Sequence, residues 1–264
     1  MNKKLCQVFI SMALVATSAT ALAGPTLWVS DDKGRLETID VITGNTSLIG
    51  TMGIVMFDIA FSPSGQLYGI DGTALYSINS GTGAPTIIGG SGGGNINSLV
   101  FGTDGTLYGA SNGLYKFDVA TGSRTQIGGT FAGGASSSGD MAFVGGNLYL
   151  STLSNPDRLQ RISTTTGANT DIGSIGFGSV FGLASPNGSD LYGFSGTQVL
   201  SINVATGAGT AISTASGAAL GAVYGSAFRN EAVPAIPEPE TYALMLAGLG
   251  VVGWAARRRA VARE

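Results

Sequence analysis

Five times between Leu27 and Ile212 the chain repeats one spacing. A Leu-aromatic pair recurs at Leu27-Trp28, Leu67-Tyr68, Leu107-Tyr108, Leu148-Tyr149 and Leu191-Tyr192, at steps of 40, 40, 41 and 43 residues. An apolar residue follows at Ile39, Ile78, Phe117, Ile162 and Ile202, and four positions further on comes Thr-Gly, starting at Thr43, Thr82, Thr121, Thr166 and Thr206. Six residues past each threonine stands Ile49, Ile88, Ile127, Ile172 or Ile212. The last two offsets are the same in every copy. A period near forty residues marks an architecture built by repeating one supersecondary unit.

Each unit reads as four short strands. A leading apolar segment (57–61, 97–101, 139–143, 180–184 and 224–228) precedes the Leu-aromatic strand, the Ile or Phe strand and the Ile-Gly strand. Turn clusters such as Ser62-Pro63-Ser64-Gly65, Thr103-Asp104-Gly105 and Pro186-Asn187-Gly188 separate them. No helical period intervenes, which excludes βαβ units. Four strands per forty residues is the pattern of a β-propeller blade. The first copy lacks its leading strand, and 224–228 supplies only that strand. The two ends therefore complete one blade, and closing the ring removes open sheet edges. The expectation is an all-β, five-bladed propeller with a composite closing blade over residues 24–229. A right-handed β-helix is the alternative, but its repeats are shorter. The glycine of each Thr-Gly pair is expected at φ > 0 in a hairpin turn.

Composition narrows the chemistry. Only 11% of residues are charged, against about a quarter in a usual soluble domain. There is no His, which excludes Ser-His-Asp and Cys-His catalysis and any His-ligated metal. Cys6 stands alone, so no intramolecular disulfide forms. Between residues 24 and 236, seven Lys+Arg face thirteen Asp+Glu, a net of −6. That sign repels phosphate backbones and argues against nucleic acid as a partner. No cofactor or metal site is read from the sequence.

Both ends read as addresses. Lys3-Lys4, the short apolar run from Val8 to Ala16 and the small residues Ala21 and Ala23 form an export signal, 1–23, cut before Gly24 by signal peptidase. At the other end, 230–240 is a proline-stiffened linker carrying Pro237-Glu238-Pro239. Segment 241–264 holds an uncharged run, Thr241 to Ala256, and then Arg257-Arg258-Arg259. Sixteen helical residues span roughly 24 Å, a little short of the ~30 Å hydrocarbon core, so the span needs snorkelling flanks or a thinned bilayer. The arginines set the C-terminus in the cytoplasm.

Pro237-Glu238-Pro239, the apolar span and Arg257, Arg258 and Arg259 resemble the PEP-CTERM sorting signal, a tail also called the ice-binding protein C-terminal domain. The resemblance covers about the last thirty residues. It implies an exosortase, a membrane protease-transpeptidase that recognises Pro-Glu-Pro and removes the tail. It further implies a route through the inner membrane, transient anchoring, and delivery to the cell surface or an exopolysaccharide matrix, with exopolysaccharide as a partner.

The body offers one acidic pair for chemistry. Aligned positions on the leading strand are Asp58, Ser98, Asp140, Phe181 and Gly225. Asp58 and Asp140 thus face each other across the channel, as a catalytic or cation-binding pair or as acceptors for neighbouring backbone amides. The second, structural role is preferred. Asp40, Asn79, Asp118, Ser163 and Asn203 recur once per blade and suit turn initiation better than five ligand sites. The recurrent Trp28, Tyr68, Tyr108, Tyr149 and Tyr192 suit packing between blades. The expected function is a non-enzymatic structural or binding propeller. A carbohydrate binder with blade-wise sites is the alternative, and a channel-centred glycoside hydrolase or lyase using Asp58 and Asp140 is the third reading.

Overall fold

The computed structural model describes residues 23–217 and 220–231. Ala21 of the export signal, Pro237-Glu238-Pro239, the apolar run 241–256 and Arg257 to Arg259 lie outside the described residues. Among the described residues no helix is long and apolar enough to cross a membrane.

The strands follow the repeat. In chain order they are β1 (Thr26–Asp31), β2 (Arg35–Asp40), β3 (Thr46–Thr51), β4 (Asp58–Phe61), β5 (Leu67–Ile70), β6 (Ala74–Ile78) and β7 (Pro85–Gly90). Next come β8 (Ser98–Phe101), β9 (Leu107–Ala110), β10 (Gly113–Phe117), β11 (Arg124–Thr130), β12 (Ser137–Val144), β13 (Asn147–Thr152), β14 (Arg158–Ile162) and β15 (Asn169–Ser174). The last are β16 (Val180–Ala184), β17 (Leu191–Ser195), β18 (Gln198–Ile202), β19 (Gly209–Thr214) and β20 (Val223–Phe228). They form five antiparallel four-stranded sheets, ordered β4 to β7, β8 to β11, β12 to β15, β16 to β19, and β20-β1-β2-β3. The last is the composite blade, in which Leu27 pairs with Phe228 and Trp28 with Ala227. The molecule is a five-bladed β-propeller closed by both ends of its chain.

The core lies between blades. One apolar cluster joins Leu36 of the closing blade to Met56, Ile59, Phe61 and Ile78 of the next, and four similar clusters fill the other interfaces. The recurrent aromatics belong to these interfaces. Trp28 meets Phe61 with ring centres 5.3 Å apart, Tyr68 meets Phe101 at 5.2 Å, Tyr108 meets Phe143 at 5.9 Å and Tyr192 meets Phe228 at 5.8 Å. Each pair bridges two blades in an edge-on or tilted geometry that ring quadrupoles favour. Tyr149 breaks the series, because Ser185 stands where the other blades place phenylalanine.

The repeated glycines meet at the rim. Thr-Gly turns hold Gly44, Gly83, Gly122, Gly167 and Gly207 at φ between 71° and 81°. A Cβ on Gly122 would sit 2.6 Å from the carbonyl oxygen of Gly89, the glycine of the preceding blade's Ile-Gly pair. Gly50 is pressed in the same way on the Thr82 carbonyl, Gly128 on Thr166 and Gly173 on Thr206. The two most regular sequence features are thus opposite halves of one contact between neighbouring blades. Gly50→Ala is expected to lower stability by about 3 kcal/mol through this overlap. Gly53→Ala, in open space at φ 71°, should cost only about 1 kcal/mol of backbone strain. Urea midpoints of the two variants check the difference.

Candidate functional site

The inner strands β4, β8, β12, β16 and β20 run side by side around the axis, so residues at equal depth form rings. Ala60, Val100, Ala142, Ala184 and Ala227 pair with the second-strand aromatics Tyr68, Tyr108, Tyr149, Tyr192 and Trp28. Two residues earlier stand Asp58, Ser98, Asp140, Gly182 and Gly225. Gly182 therefore occupies the position that the sequence alignment assigned to Phe181. Gly182 stands nine residues before Leu191, as Asp58 stands nine before Leu67 and Ser98 nine before Leu107, so segment 180–184 is one residue early as the equivalent of 57–61. The bulge lies on the mouth side of Gly182, where Ser179 turns at φ 54° and the β16–β17 register shifts between Val180 and Gly182. Phe181 therefore lies one ring nearer the mouth.

At the aspartate ring, five equivalent backbone N–H groups point inward, and two carboxyl groups accept all of them. Asp58 accepts from Ile59 of its own blade at 2.7 Å and from Leu99 of the next. Asp140 accepts from Met141 at 2.6 Å, Leu183 at 2.8 Å and Ser226 at 3.3 Å, and from the Ser226 hydroxyl at 3.0 Å. Inner strands are sheet edges, so these amides have no ladder partner, and leaving them buried without acceptors is costly. Glycine on the other blades makes the room. A Cβ on Gly225 would lie 2.5 Å from Asp58 Oδ1, and one on Gly182 would lie 2.7 Å from Ser226 Oγ.

Asp58 and Asp140 are both 0% exposed, and each carboxyl group bears on the ionisation of the other. Two buried carboxyl groups that interact in this way do not both ionise at neutral pH. Burial pushes both pKa values up, with Asp140 reaching about 8; the Asp140 charge raises Asp58 further, whereas Asp58 and the Leu183 and Met141 amides partly offset the rise at Asp140. A third carboxyl, Glu231, is also buried and accepts the Ser185 N–H at 3.0 Å. Burial raises its pKa first, and the neighbouring Asp140 charge raises it further. The sequence reading placed Glu231 in the linker and so missed it. Its signal is Ser185, the break in the column of Phe61, Phe101, Phe143 and Phe228.

One ring above the aspartates the channel opens into a mouth. There β-strand entry residues Phe181, Tyr224 and Phe57, on three consecutive blades, form an aromatic crescent. Tyr224 lies 5.8 Å from Phe181 and 6.2 Å from Phe57, edge to face with both. Asn97 and Gly139 complete the ring, and Asn95 and Ser138 join the lining of a cavity of about 320 Å³. The Ser138 hydroxyl donates to buried Asp157 at 2.6 Å, and Asp157 also accepts from Val180 N–H at 2.8 Å. Asp157 therefore holds this wall in place.

The blade-wise polar residues are engaged in their own turns. Asp40 accepts from the N–H groups of Ile42 and Thr43, Asn79 from Gly81, Asp118 from Ala120, Ser163 from Thr166, and Asn203 from Ala205. Asp31, in the Asp31-Asp32-Lys33-Gly34 turn, is buried and bonded to Arg35 and to Gly221 N–H. Among the described residues no cluster of three or more metal-ligating side chains occurs.

Solved structures share the fold. A protein from a study of the de novo evolutionary emergence of a symmetrical protein is 18% identical, with a TM-score of 0.51 over 81% of this chain and 99% of its own. A chain of the nidogen/laminin complex is 13% identical, with a TM-score of 0.56 over 77% of this chain and 98% of its own. No curated protein matches the chain significantly in sequence. Residues 235–259 match the PEP-CTERM protein-sorting motif. That motif is the recognition tail for exosortase processing, so the chain is an exported, exosortase-targeted protein with a propeller body.

Proposed function

We propose that the propeller is a non-enzymatic binding or structural module, displayed at the cell surface or in an exopolysaccharide matrix after its tail is removed. The observation that carries this reading is the use made of the axial carboxyl pair. Asp58 and Asp140 accept all five inward amides and are sealed from solvent. Glycoside hydrolysis sets its two carboxyl groups about 5–5.5 Å or 6.5–9.5 Å apart with the sugar between them. Two carboxyl groups sealed from solvent and engaged by backbone amides leave no space between them for a scissile bond.

Mass spectrometry of the protein recovered from its own host is expected to find a C-terminus between Pro237 and Glu240. An intact tail would instead make this a permanently anchored protein. A reducing-sugar assay across neutral and acidic polysaccharides is expected to show no turnover. Turnover that disappears in Asp58→Asn would establish the hydrolase or lyase reading.

A further inference from the structure

The mouth above the aspartate ring has chemistry that the sealed pair below it does not use. Its half-buried aromatic crescent lines the cavity, whereas Trp28, Tyr68, Tyr108 and Tyr192 lie against a phenylalanine of the next blade. The opposite arc is polar and uncharged. Asn97 donates through Nδ2 to the Ser137 carbonyl at 3.2 Å, while its Oδ1 is shielded from solvent and has no partner. Asn95 is exposed beside it. At about 320 Å³ the cavity sits at the small end of ligand pockets, which run from about 300 to 1,000 Å³. That size suits one ring rather than an extended polymer groove.

We propose that this mouth binds a single uncharged pyranose unit of a glycan, its C–H face against Tyr224 and its neighbours and its hydroxyls on Asn95 and Asn97. The proposal rests on the non-enzymatic binding reading above and gives that reading a place and a ligand class. A pyranose offers both surfaces that the mouth requires, an apolar ring face and hydroxyl donors at its edge. A wholly apolar ligand would leave the shielded Asn97 Oδ1 without a donor, whereas a hydroxyl that reaches it removes the cost of that unsatisfied acceptor. Among the described residues the lining of the mouth carries no cationic side chain, so an anionic sugar would lose water from its carboxylate with no counter-charge in return. The site therefore selects neutral sugars over uronates. Gly139 lets the polar arc approach the backbone of the crescent closely, since a Cβ there would lie 2.6 Å from the Phe181 carbonyl oxygen.

The test is calorimetric titration of the full chain with methyl glycosides of neutral hexoses and with methyl glucuronide. Neutral glycosides are expected to bind, with the glucuronide weaker by about tenfold or more. Asn97→Ala should weaken binding by about tenfold, the loss of a typical hydrogen bond. Asn95→Ala, on an exposed side chain with no structural bond, gives the same readout if the Asn97 variant folds poorly. Asn79→Ala, in a blade turn, should leave affinity unchanged. Absence of neutral-glycoside binding, binding unmoved by both mouth variants, or preference for the glucuronide would each overturn the proposal. Tail removal and surface retention are scored separately by mass spectrometry. A correctly sorted protein that binds no glycoside defeats this proposal and leaves the sorting reading intact, whereas an unprocessed tail defeats the sorting reading alone.

Discussion

A chain ending at Ala222, without β20, is expected to lose cooperative unfolding altogether, while a chain ending at Glu231 keeps it. Val223, Ala227 and Phe228 are buried, and Phe228 packs on Tyr192 and belongs to a cluster with Leu27, Val199 and Val223. Truncating one buried Phe alone costs about 3–5 kcal/mol. Removing β20 also strips the innermost partner from β1 and leaves Asp140 without two of its donors, the Ser226 amide and hydroxyl. Together these losses match or exceed a domain's whole stability of about 5–15 kcal/mol. Deleting Gly92–Gly94, an exposed connector between β7 and β8, touches none of these contacts and should move the urea midpoint only slightly. The closure account fails if the two deletions shift the midpoint equally.

The closing blade was legible because its inner strand survives as an isolated copy at the end of the repeat. Tyr224 to Phe228 carries the same apolar segment as Phe57 to Phe61 with nothing after it to complete a blade. The aspartate column was legible for the same reason, since Asp58 and Asp140 each stand three residues before the phenylalanine of their leading segment, Phe61 and Phe143. Three features escaped. The leading segment of blade four has Ser185 where the other four end in phenylalanine, so it was set one residue early and Phe181 was hidden from the aromatic crescent. The rim contact escaped because Thr-Gly was read as local turn chemistry and Ile-Gly as part of a strand, whereas each glycine is needed for its neighbour in the next blade. Glu231 lies beyond the last repeat, so no alignment column includes it. Only the phenylalanine missing at Ser185 marks where it enters.

The aspartate ring predicts an unusual response to pH. Asp58, Asp140 and Glu231 all have pKa values raised by burial. The native state therefore holds protons that the unfolded chain releases above its ordinary carboxylate pKa, near 4. Stability from these groups is complete below pH 4 and is lost as pH rises toward the folded values, about 8 for Asp140. Each retained proton contributes a slope of about −1.4 kcal/mol per pH unit. The peripheral carboxylates work in the opposite sense. Asp71, bonded to Thr73, Ala74 and Tyr76, and Asp31, bonded to Arg35, have lowered pKa values, and their stabilisation is lost only as pH falls below about 4. The melting temperature should therefore peak near pH 4–5 and decline through pH 8. Asp58→Asn supplies a permanent N–H toward Asp140 in place of the retained proton. It is expected to flatten the decline and to melt higher than the parent at pH 8. Asp140→Ala instead removes the acceptor for the Met141, Leu183 and Ser226 amides, each costing about 1–3 kcal/mol when left unsatisfied. That variant should be destabilised at every pH. Melting curves of the three proteins from pH 4 to 9 decide the matter: parallel slopes for the parent and Asp58→Asn would show that the axial proton does not exist.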